Sequence, residues 1–224
     1  MSLKPHKINA LNNFIAGWYL DDTSICDQLI QIHKDSPDKR KGDTAAGKGG
    51  TSAVDKSVKD SLDVTLHPSK VSKAYVDMLN DVGKEYIEKY PYSAMTVPWG
   101  ITEPIALQHY KPGGGFKAWH FENDYSNDAI AMRHLAFMTY LNDVEDGGGT
   151  EFHYQDLTVK AEKGLTLIWP TPWNFTHKGQ VSDTEEKYIV TGWYSAYSQE
   201  QIKKIIDENK QLKKEVKAVK KAFG

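Results

Sequence analysis

The chain has 224 residues, enough to bury a core in one domain or at most two, and its 39% hydrophobic and 26% charged residues are typical of a folded protein. Its formal net charge of −2 gives no electrostatic reason to expect nucleic acid or an anionic membrane as a partner. The single cysteine, Cys26, excludes an intrachain disulfide, and no apolar run approaches the roughly 18 residues of a membrane span. Since the N-terminus also lacks a secretory pattern, we expect a cytoplasmic protein.

Two amphipathic helices are predicted in the first 100 residues. The first is capped by Thr23 or Ser24 and runs to about residue 34, and the second covers 69–89 with Ser69 as its cap. In the second helix apolar residues recur at steps of three and four. We therefore expect this stripe to pack against a sheet.

A long loop separates the two predicted helices. Residues 36–60 combine one proline and several glycines with Lys, Asp, Ser and Thr. Loops of this length in compact domains are usually functional lids or disordered segments, and the composition alone leaves both interpretations open.

From about residue 102 the pattern changes to short apolar runs separated by turn residues. Many short strands without intervening helices indicate a sandwich or jelly roll instead of a parallel α/β sheet. The predicted strands are Ile105–Tyr110, Lys117–Glu122, His134–Leu141, Leu157–Ala161, Leu165–Trp169 and Tyr188–Tyr197.

The last segment, 198–224, is predicted to be a helix whose N-terminus is closed by a capping box between Ser198 and Gln201. It carries eight lysines and four acidic residues. A solvated helix face is the first interpretation of such a charge pattern. A helix that pairs with a second subunit, giving a homodimer, or that steers an acidic partner is the alternative.

His120 and Glu122 lie two positions apart in a predicted strand. Side chains alternate faces along a strand, so the imidazole and the carboxylate point the same way and could reach one metal ion. Asp124 continues on that face if the strand does. By itself the pair is a weak signal, since a surface strand with polar side chains explains it equally well.

A second histidine and a lysine strengthen this signal. His177 precedes the last predicted strand, and two histidines with one carboxylate from separate strands form a facial triad that leaves metal positions open. Lys187 and Thr191 share one face of that last strand. Because an unpaired buried charge is costly, a lysine pointing into a barrel favours an anionic ligand there.

Further motifs connect these residues. They are Tyr110 ahead of a glycine-rich turn, Arg133, the run Tyr140–Phe152, the pair Lys163-Gly164, and Lys187, Thr191 and Trp193 at offsets of 10, 14 and 16 from His177. In this order and spacing, the chain from about Ile105 to Tyr197 resembles the catalytic domain of prolyl 4-hydroxylases. These belong to the iron(II)- and 2-oxoglutarate-dependent oxygenases.

The resemblance implies a mainly β fold with flanking helices (α+β), in which a double-stranded β-helix, or jelly roll, holds iron(II) at its open end. His120, Glu122 and His177 would bind the iron. Lys187 would pair with the distal carboxylate of 2-oxoglutarate, helped by Tyr110 and Thr191. Dioxygen is the second co-substrate, and ascorbate is expected to support activity. The implied reaction is hydroxylation of a prolyl residue in a peptide or protein.

The expected organisation is one domain, with a helical support and lid region at 1–100, a jelly-roll core at 101–197 and a C-terminal helix at 198–224.

Two departures from the family stand out. The family usually has aspartate where Glu122 stands, which leaves Asp124 as a second candidate ligand, and Phe116 stands where an aromatic hydroxyl is common. A non-catalytic metal-binding jelly roll, cupin-like or lectin-like, is therefore the alternative function.

Overall fold

The computed structural model describes residues 3–7, 13–44 and 53–223, with the backbone alone described at 212 and 215–223. Its strands are β1 (Lys4–Pro5), β2 (Ala16–Tyr19), β3 (Arg40–Lys41), β4 (Lys59–Asp60), β5 (Leu62–Thr65), β6 (Trp99–Ile101), β7 (Ala106–Tyr110), β8 (Gly115–Phe116), β9 (Arg133–Tyr140), β10 (Thr150–Phe152), β11 (Leu157–Val159), β12 (Leu165–Pro170), β13 (His177–Gly179) and β14 (Lys187–Ala196). Its helices are α1 (Ser24–Asp35), α2 (Lys70–Lys89), α3 (Asp128–Ala131) and α4 (Gln199–Phe223), with short 3-10 helices at Pro91–Ala94 and Trp173–Phe175.

The largest sheet is antiparallel throughout, in the order β1-β2-β12-β9-β14-β7-β5-β3, and β6 pairs with the far end of β14. Two smaller antiparallel sheets, β11-β10-β13 and β4-β8, complete the β structure. The central strand β14 pairs with β7 on one side and with β9 on the other. This arrangement of facing antiparallel sheets is the jelly roll that the strand pattern predicts.

Alternation along β14 divides the interior into two cores. Tyr188, Val190 and Tyr194 belong to the core under the helices. Ile189 and Trp193 face the opposite way, toward the core shared with the β11-β10-β13 sheet. The period of two that the sequence shows in this strand is therefore the physical basis of both layers.

Helices α1 and α2 cover the outer face of the large sheet. Leu29 of α1 and Leu79 and Val82 of α2 are fully buried there, each stabilising the fold by roughly 1.5–3 kcal/mol relative to an exposed side chain. The predicted cap of α2 at Ser69 is confirmed. It forms a capping box with Ser72, because the Ser69 hydroxyl accepts from the Ser72 amide at 3.0 Å and the Ser72 hydroxyl accepts from the Ser69 amide at 2.6 Å. The prediction that this helix packs on a sheet is confirmed.

Two local predictions were wrong. Residues 117–122 form no continuous strand: β8 ends at Phe116, and an isolated bridge follows at His120. The physical reason is that this segment turns to reach β13 instead of running beside a neighbour. In α1, Thr23 occupies the N-cap position without a side-chain cap, and the Asp22 carboxylate accepts from the Ser24 amide at 2.9 Å instead.

The long loop is partly ordered into the sheets. Its described residues contribute β3, the bridge between Thr44 and Ala53, and β4, which pairs with β8. Residues 45–52, which include most of its glycines, lie outside the described residues. Whether the segment closes as a lid stays a prediction.

The C-terminal helix α4 is present, and its predicted capping box is confirmed. The Ser198 hydroxyl accepts from the Gln201 amide at 3.1 Å, and the Gln201 side chain accepts from the Ser198 amide at 2.7 Å. Over the described parts of the chain, no helix is both long enough and apolar enough to cross a bilayer.

Candidate metal centre and anion pocket

His120 and His177 are brought together by a single antiparallel bridge. The His120 amide donates to the His177 carbonyl at 2.9 Å, and the His177 amide donates back at 2.8 Å. Side chains of directly opposed residues leave the same face of an antiparallel pair. The bridge therefore fixes both imidazoles on one side, facing the cavity.

The orientation of each ring is also fixed by the backbone. Nδ1–H of His120 donates to the Ala118 carbonyl at 3.1 Å, and Nδ1–H of His177 donates to the Phe175 carbonyl at 2.9 Å, in the tautomer that these acceptors require. Each Nε2 lone pair is then free to face a cation. Metal-binding histidines are commonly oriented by such a bond from the other ring nitrogen.

Glu122 completes the cluster. Its Oε1 lies 3.3 Å from Nε2 of His177 and 3.6 Å from Nε2 of His120. One donor atom from each of the three residues lies within 4.8 Å of the other two. The structure thus brings the three predicted residues together, although residues 117–122 do not form the strand on which the prediction was based. Their role as metal ligands stays a prediction.

The electrostatics of the cluster suit a cation. Burial raises the pKa of Glu122, but its interactions with the neighbouring His120 and His177 outweigh burial and hold the pKa well below the usual range. The pKa of His120 is lowered, first by burial and then by the neighbouring His177. An ionised carboxylate beside a neutral imidazole is the protonation state in which such side chains bind metal.

The donor set fits a ferrous ion. Two imidazole nitrogens and one carboxylate oxygen lie within 4.8 Å of one another, and their residues line a cavity of about 650 Å³. Two histidines and one carboxylate with open positions are the facial arrangement of non-haem iron(II) sites. The residues present can therefore hold the metal and leave room for further ligands.

A support for Glu122 was not anticipated from the sequence. Its second oxygen, Oε2, accepts from the indole Nε1 of Trp193 at 3.0 Å. The Arg133 guanidinium in turn stacks over the Trp193 ring, with its Cζ atom 3.5 Å from the ring centroid, and Arg133 forms a salt bridge with Glu103 at 2.6 Å. Arg133 also donates to the Glu122 carbonyl at 3.1 Å. Trp193 and Arg133 were noted only as motif positions, and nothing local in the sequence connects them to the carboxylate.

Phe116 and Asp124 occupy distinct places around the cluster. The Phe116 ring stacks on His120 with a centroid distance of 3.6 Å and an interplanar angle of 6°. Asp124 lines the cavity, but its carboxylate accepts from the Ser126 amide at 2.9 Å and does not join the three-donor cluster. Of the two acidic candidates, the structure brings Glu122 to the histidines.

Lys187 lies in the same cavity and is 5% exposed. Its Nζ donates to the carbonyls of Gly148 at 3.0 Å and Gln180 at 3.4 Å, and lies 4.9 Å from the centre of the Tyr110 ring. No carboxylate of the described residues pairs with it. Burial lowers its pKa to about 8. A buried ammonium satisfied only by carbonyl groups is a site for an anion.

The other two predicted co-substrate residues line this cavity as well. The Tyr110 hydroxyl donates to Gln108 Oε1 at 2.6 Å, and the Thr191 hydroxyl donates to the Phe137 carbonyl at 3.2 Å. Burial raises the pKa of Tyr110 well above its ordinary value, so its hydroxyl stays protonated. Tyr110 and Lys187 are directly opposite each other in the β7–β14 pairing.

The remaining histidines lie elsewhere. His109 stacks on Tyr188 at 4.2 Å, on the helix side of the sheet, and His134 donates to the Ser93 carbonyl at 2.8 Å. His153 is exposed beside Trp119. None of the three belongs to the metal cluster.

Residues 105–195 match the family model described as the 2OG-Fe(II) oxygenase superfamily. The chain is also 30% identical over 114 residues to the human prolyl 4-hydroxylase subunit alpha-3, an alignment that covers 44% of this chain and 20% of that protein. The bovine subunit is 29% identical over the same length. The chain thus spans about a fifth of the length of these curated relatives.

Solved structures share the fold at low sequence identity. The viral collagen prolyl hydroxylase of Paramecium Bursaria Chlorella virus-1 superposes with a TM-score of 0.60 at 19% identity, covering 83% of this chain and 98% of that one. A Pseudomonas putida prolyl-4-hydroxylase gives 0.62 at 12% identity, with coverages of 84% and 95%. A Trichoplax adhaerens prolyl hydroxylase, solved with a hypoxia inducible factor peptide fragment, gives 0.60 at 14%, with coverages of 82% and 84%. Residues 105–195 of this chain therefore match the 2OG-Fe(II) oxygenase superfamily model, and the chain is similar in fold to prolyl hydroxylases of known structure.

Proposed function

We propose that this chain is an iron(II)- and 2-oxoglutarate-dependent hydroxylase that acts on prolyl residues of a peptide or protein. The observation that carries the proposal is one cavity that contains both the three-donor cluster and the buried Lys187, which has no carboxylate partner among the described residues. A structural metal site has no use for an anion-binding lysine in the same cavity. An oxygenase that takes a dicarboxylate co-substrate needs both.

In this proposal His120, Glu122 and His177 hold the iron, and Lys187 pairs with the distal carboxylate of 2-oxoglutarate. Tyr110 and Thr191 border that carboxylate. When bound, iron and 2-oxoglutarate supply the chemistry: dioxygen places one oxygen atom in the substrate C–H bond and the other in succinate, with release of carbon dioxide. The protein's own residues orient the co-substrate and keep water from the buried side of the cavity.

The prolyl substrate is supported by the named relatives and by the shape of the site. The curated relatives are prolyl 4-hydroxylase subunits, and the Trichoplax structure contains a peptide. In this chain the cavity opens beside Trp119, which is 44% exposed. An aromatic rim next to an open pocket suits a chain segment that inserts one side chain toward the metal. We expect ascorbate to prolong turnover.

The test is succinate production from 2-oxoglutarate by the purified chain with iron(II) and ascorbate, with and without a panel of proline-containing peptides. Turnover stimulated by one peptide, with the gain of one oxygen atom on a proline by mass spectrometry, is the expected result. His177→Ala should abolish both signals, whereas His153→Ala, at an exposed histidine beside the rim, should retain them. Iron bound without succinate under any condition would refute the proposal.

A further inference from the structure

Helix α4 is amphipathic, and its described side chains from Lys203 to Lys214 are not packed against the rest of the described chain. Ile202 is partly buried, and every side chain from Lys203 to Gln211 is exposed, including Ile205 at 38% and Ile206 at 47%. No residue of α4 belongs to either hydrophobic core of the described residues. Helical stability in water comes mainly from packing an apolar face, so a 25-residue helix whose described apolar side chains are exposed calls for a partner.

The sequence of α4 follows a seven-residue repeat. Taking Ile202 as position a of the heptad, the a and d positions are apolar with one exception, and the repeat continues to the end of the helix. The a positions are Ile202, Asn209, Val216 and Phe223, and the d positions are Ile205, Leu212 and Val219. Just over three heptads with this pattern, from Ile202 to Phe223, are typical of a coiled coil, and they span about 33 Å at the helical rise.

The exception is Asn209, which occupies an a position near the middle of the repeat. A single asparagine at an a position costs stability but fixes the register, because it pairs with the same residue of a second helix. That pairing is between identical positions only when the two helices are parallel and in register. The asparagine therefore favours a symmetric, parallel pair.

The charged residues that flank the a and d positions agree with this geometry. In the sequence, the g positions are Gln201, Glu208, Glu215 and Ala222, and the e positions are Ile206, Lys213 and Lys220. In a parallel dimer each g residue faces the following e residue of the other helix, so Glu208 meets Lys213 and Glu215 meets Lys220. In an antiparallel dimer like charges would meet, lysine with lysine and glutamate with glutamate. The only salt bridge that Glu208 forms in the described chain is a 3.9 Å contact with Lys204.

We propose that α4 joins two copies of this chain through a parallel two-stranded coiled coil. The a and d positions from Ile202 to Phe223 form the buried seam between the two helices. Asn209 sets the register, and the glutamate–lysine pairs select the parallel orientation. The inference depends on α4 alone, so it stands or falls independently of the proposed hydroxylase activity.

The first test is sedimentation equilibrium of the full chain from about 1 to 100 µM. We expect a reversible monomer–dimer equilibrium. Val219→Asp places a carboxylate at a d position and should raise the dimer dissociation constant by on the order of 100-fold, because an unpaired charge in the seam must be desolvated. Ala218→Asp adds the same charge one position earlier, at an outer c position, and should leave the constant unchanged. A monomer at all concentrations, a trimer, or equal effects of the two variants would overturn the proposal.

A second experiment tests the charge pairs and the orientation. The double variant Lys213→Glu/Lys220→Glu and the double variant Glu208→Lys/Glu215→Lys should each be monomeric, and an equimolar mixture should form heterodimers. For orientation, Gly224→Cys should form a disulfide-linked dimer on oxidation, since parallel helices bring the two C-termini together. The parent chain is the control, because its Cys26 is buried. Failure of the mixture to associate, or of the cysteine variant to cross-link, would contradict the parallel model.

Discussion

Replacing Lys187 with methionine should stabilise the ligand-free protein while removing its affinity for 2-oxoglutarate. The side chains have similar length, but methionine carries no charge into the cavity. Burial lowers the pKa of Lys187 from 10.5 to about 8, and each pH unit corresponds to about 1.4 kcal/mol. The charged lysine therefore costs the folded state roughly 3 kcal/mol at pH 7.

Part of this gain is offset. Lys187→Met leaves the carbonyls of Gly148 and Gln180 without their donor, and each lost hydrogen bond costs about 1 kcal/mol. The expected net effect is a rise of about 1–2 kcal/mol in the free energy of unfolding at pH 7. Because the unfolded chain binds the proton more tightly, the stability of the parent protein increases between pH 8 and pH 10.5, and the difference between the two proteins shrinks over that window.

The assay is urea denaturation of both proteins without metal or 2-oxoglutarate at pH 7 and pH 9. Lys73→Met is the control, since Lys73 is exposed on α2 and should change stability by less than about 0.5 kcal/mol. Calorimetric titration should show no 2-oxoglutarate binding by Lys187→Met. If the variant is less stable than the parent at pH 7, or if it still binds 2-oxoglutarate, the account of this lysine is refuted.

Three further predictions concern the metal cluster and the buried histidines. Glu122→Asp shortens the side chain by one methylene, which moves the carboxylate away from the Trp193 indole, and should weaken iron binding about tenfold in a metal titration. Asp124→Asn should leave iron binding unchanged. Equal losses in the two variants would contradict the assignment of Glu122. Trp193→Phe removes the 3.0 Å hydrogen bond to Glu122 and should also weaken iron binding about tenfold, while Trp173→Phe, at an exposed indole, serves as the unaffected control. Burial lowers the pKa of His109 below 6.5, so the stability it contributes is present above pH 6.5 and is lost as the pH falls toward the folded pKa. His109→Phe, which keeps a ring against Tyr188, should make urea stability less dependent on pH between 7 and 5; an unchanged profile would exclude His109 as a source of acid sensitivity.

The local sequence pattern predicted most of the helices and strands that form the helical layer and the sheets. The apolar stripe and the Ser69 cap of α2, the alternation along β14, and the capping box of α4 each depend on residues within one or two helical turns or strand pleats. The turn before β10 also depends on local residue types, since Gly147 and Gly148 adopt positive φ angles of 73° and 70° there. These features are encoded locally and were confirmed.

What the sequence by itself determined about the site is which residues belong to it. Its motifs and offsets carry the resemblance to prolyl 4-hydroxylases, and that resemblance implies that His120, Glu122, His177, Lys187, Tyr110 and Thr191 share one cavity. Only the tertiary structure decided how they meet. The segment before Glu122 is no strand, and the bridge between His120 and His177 does what strand alternation was expected to do. The contact of Glu122 with Trp193 joins residues 71 positions apart. Such contacts depend on the register between distant strands, which hydrophobic periodicity within a single segment does not specify.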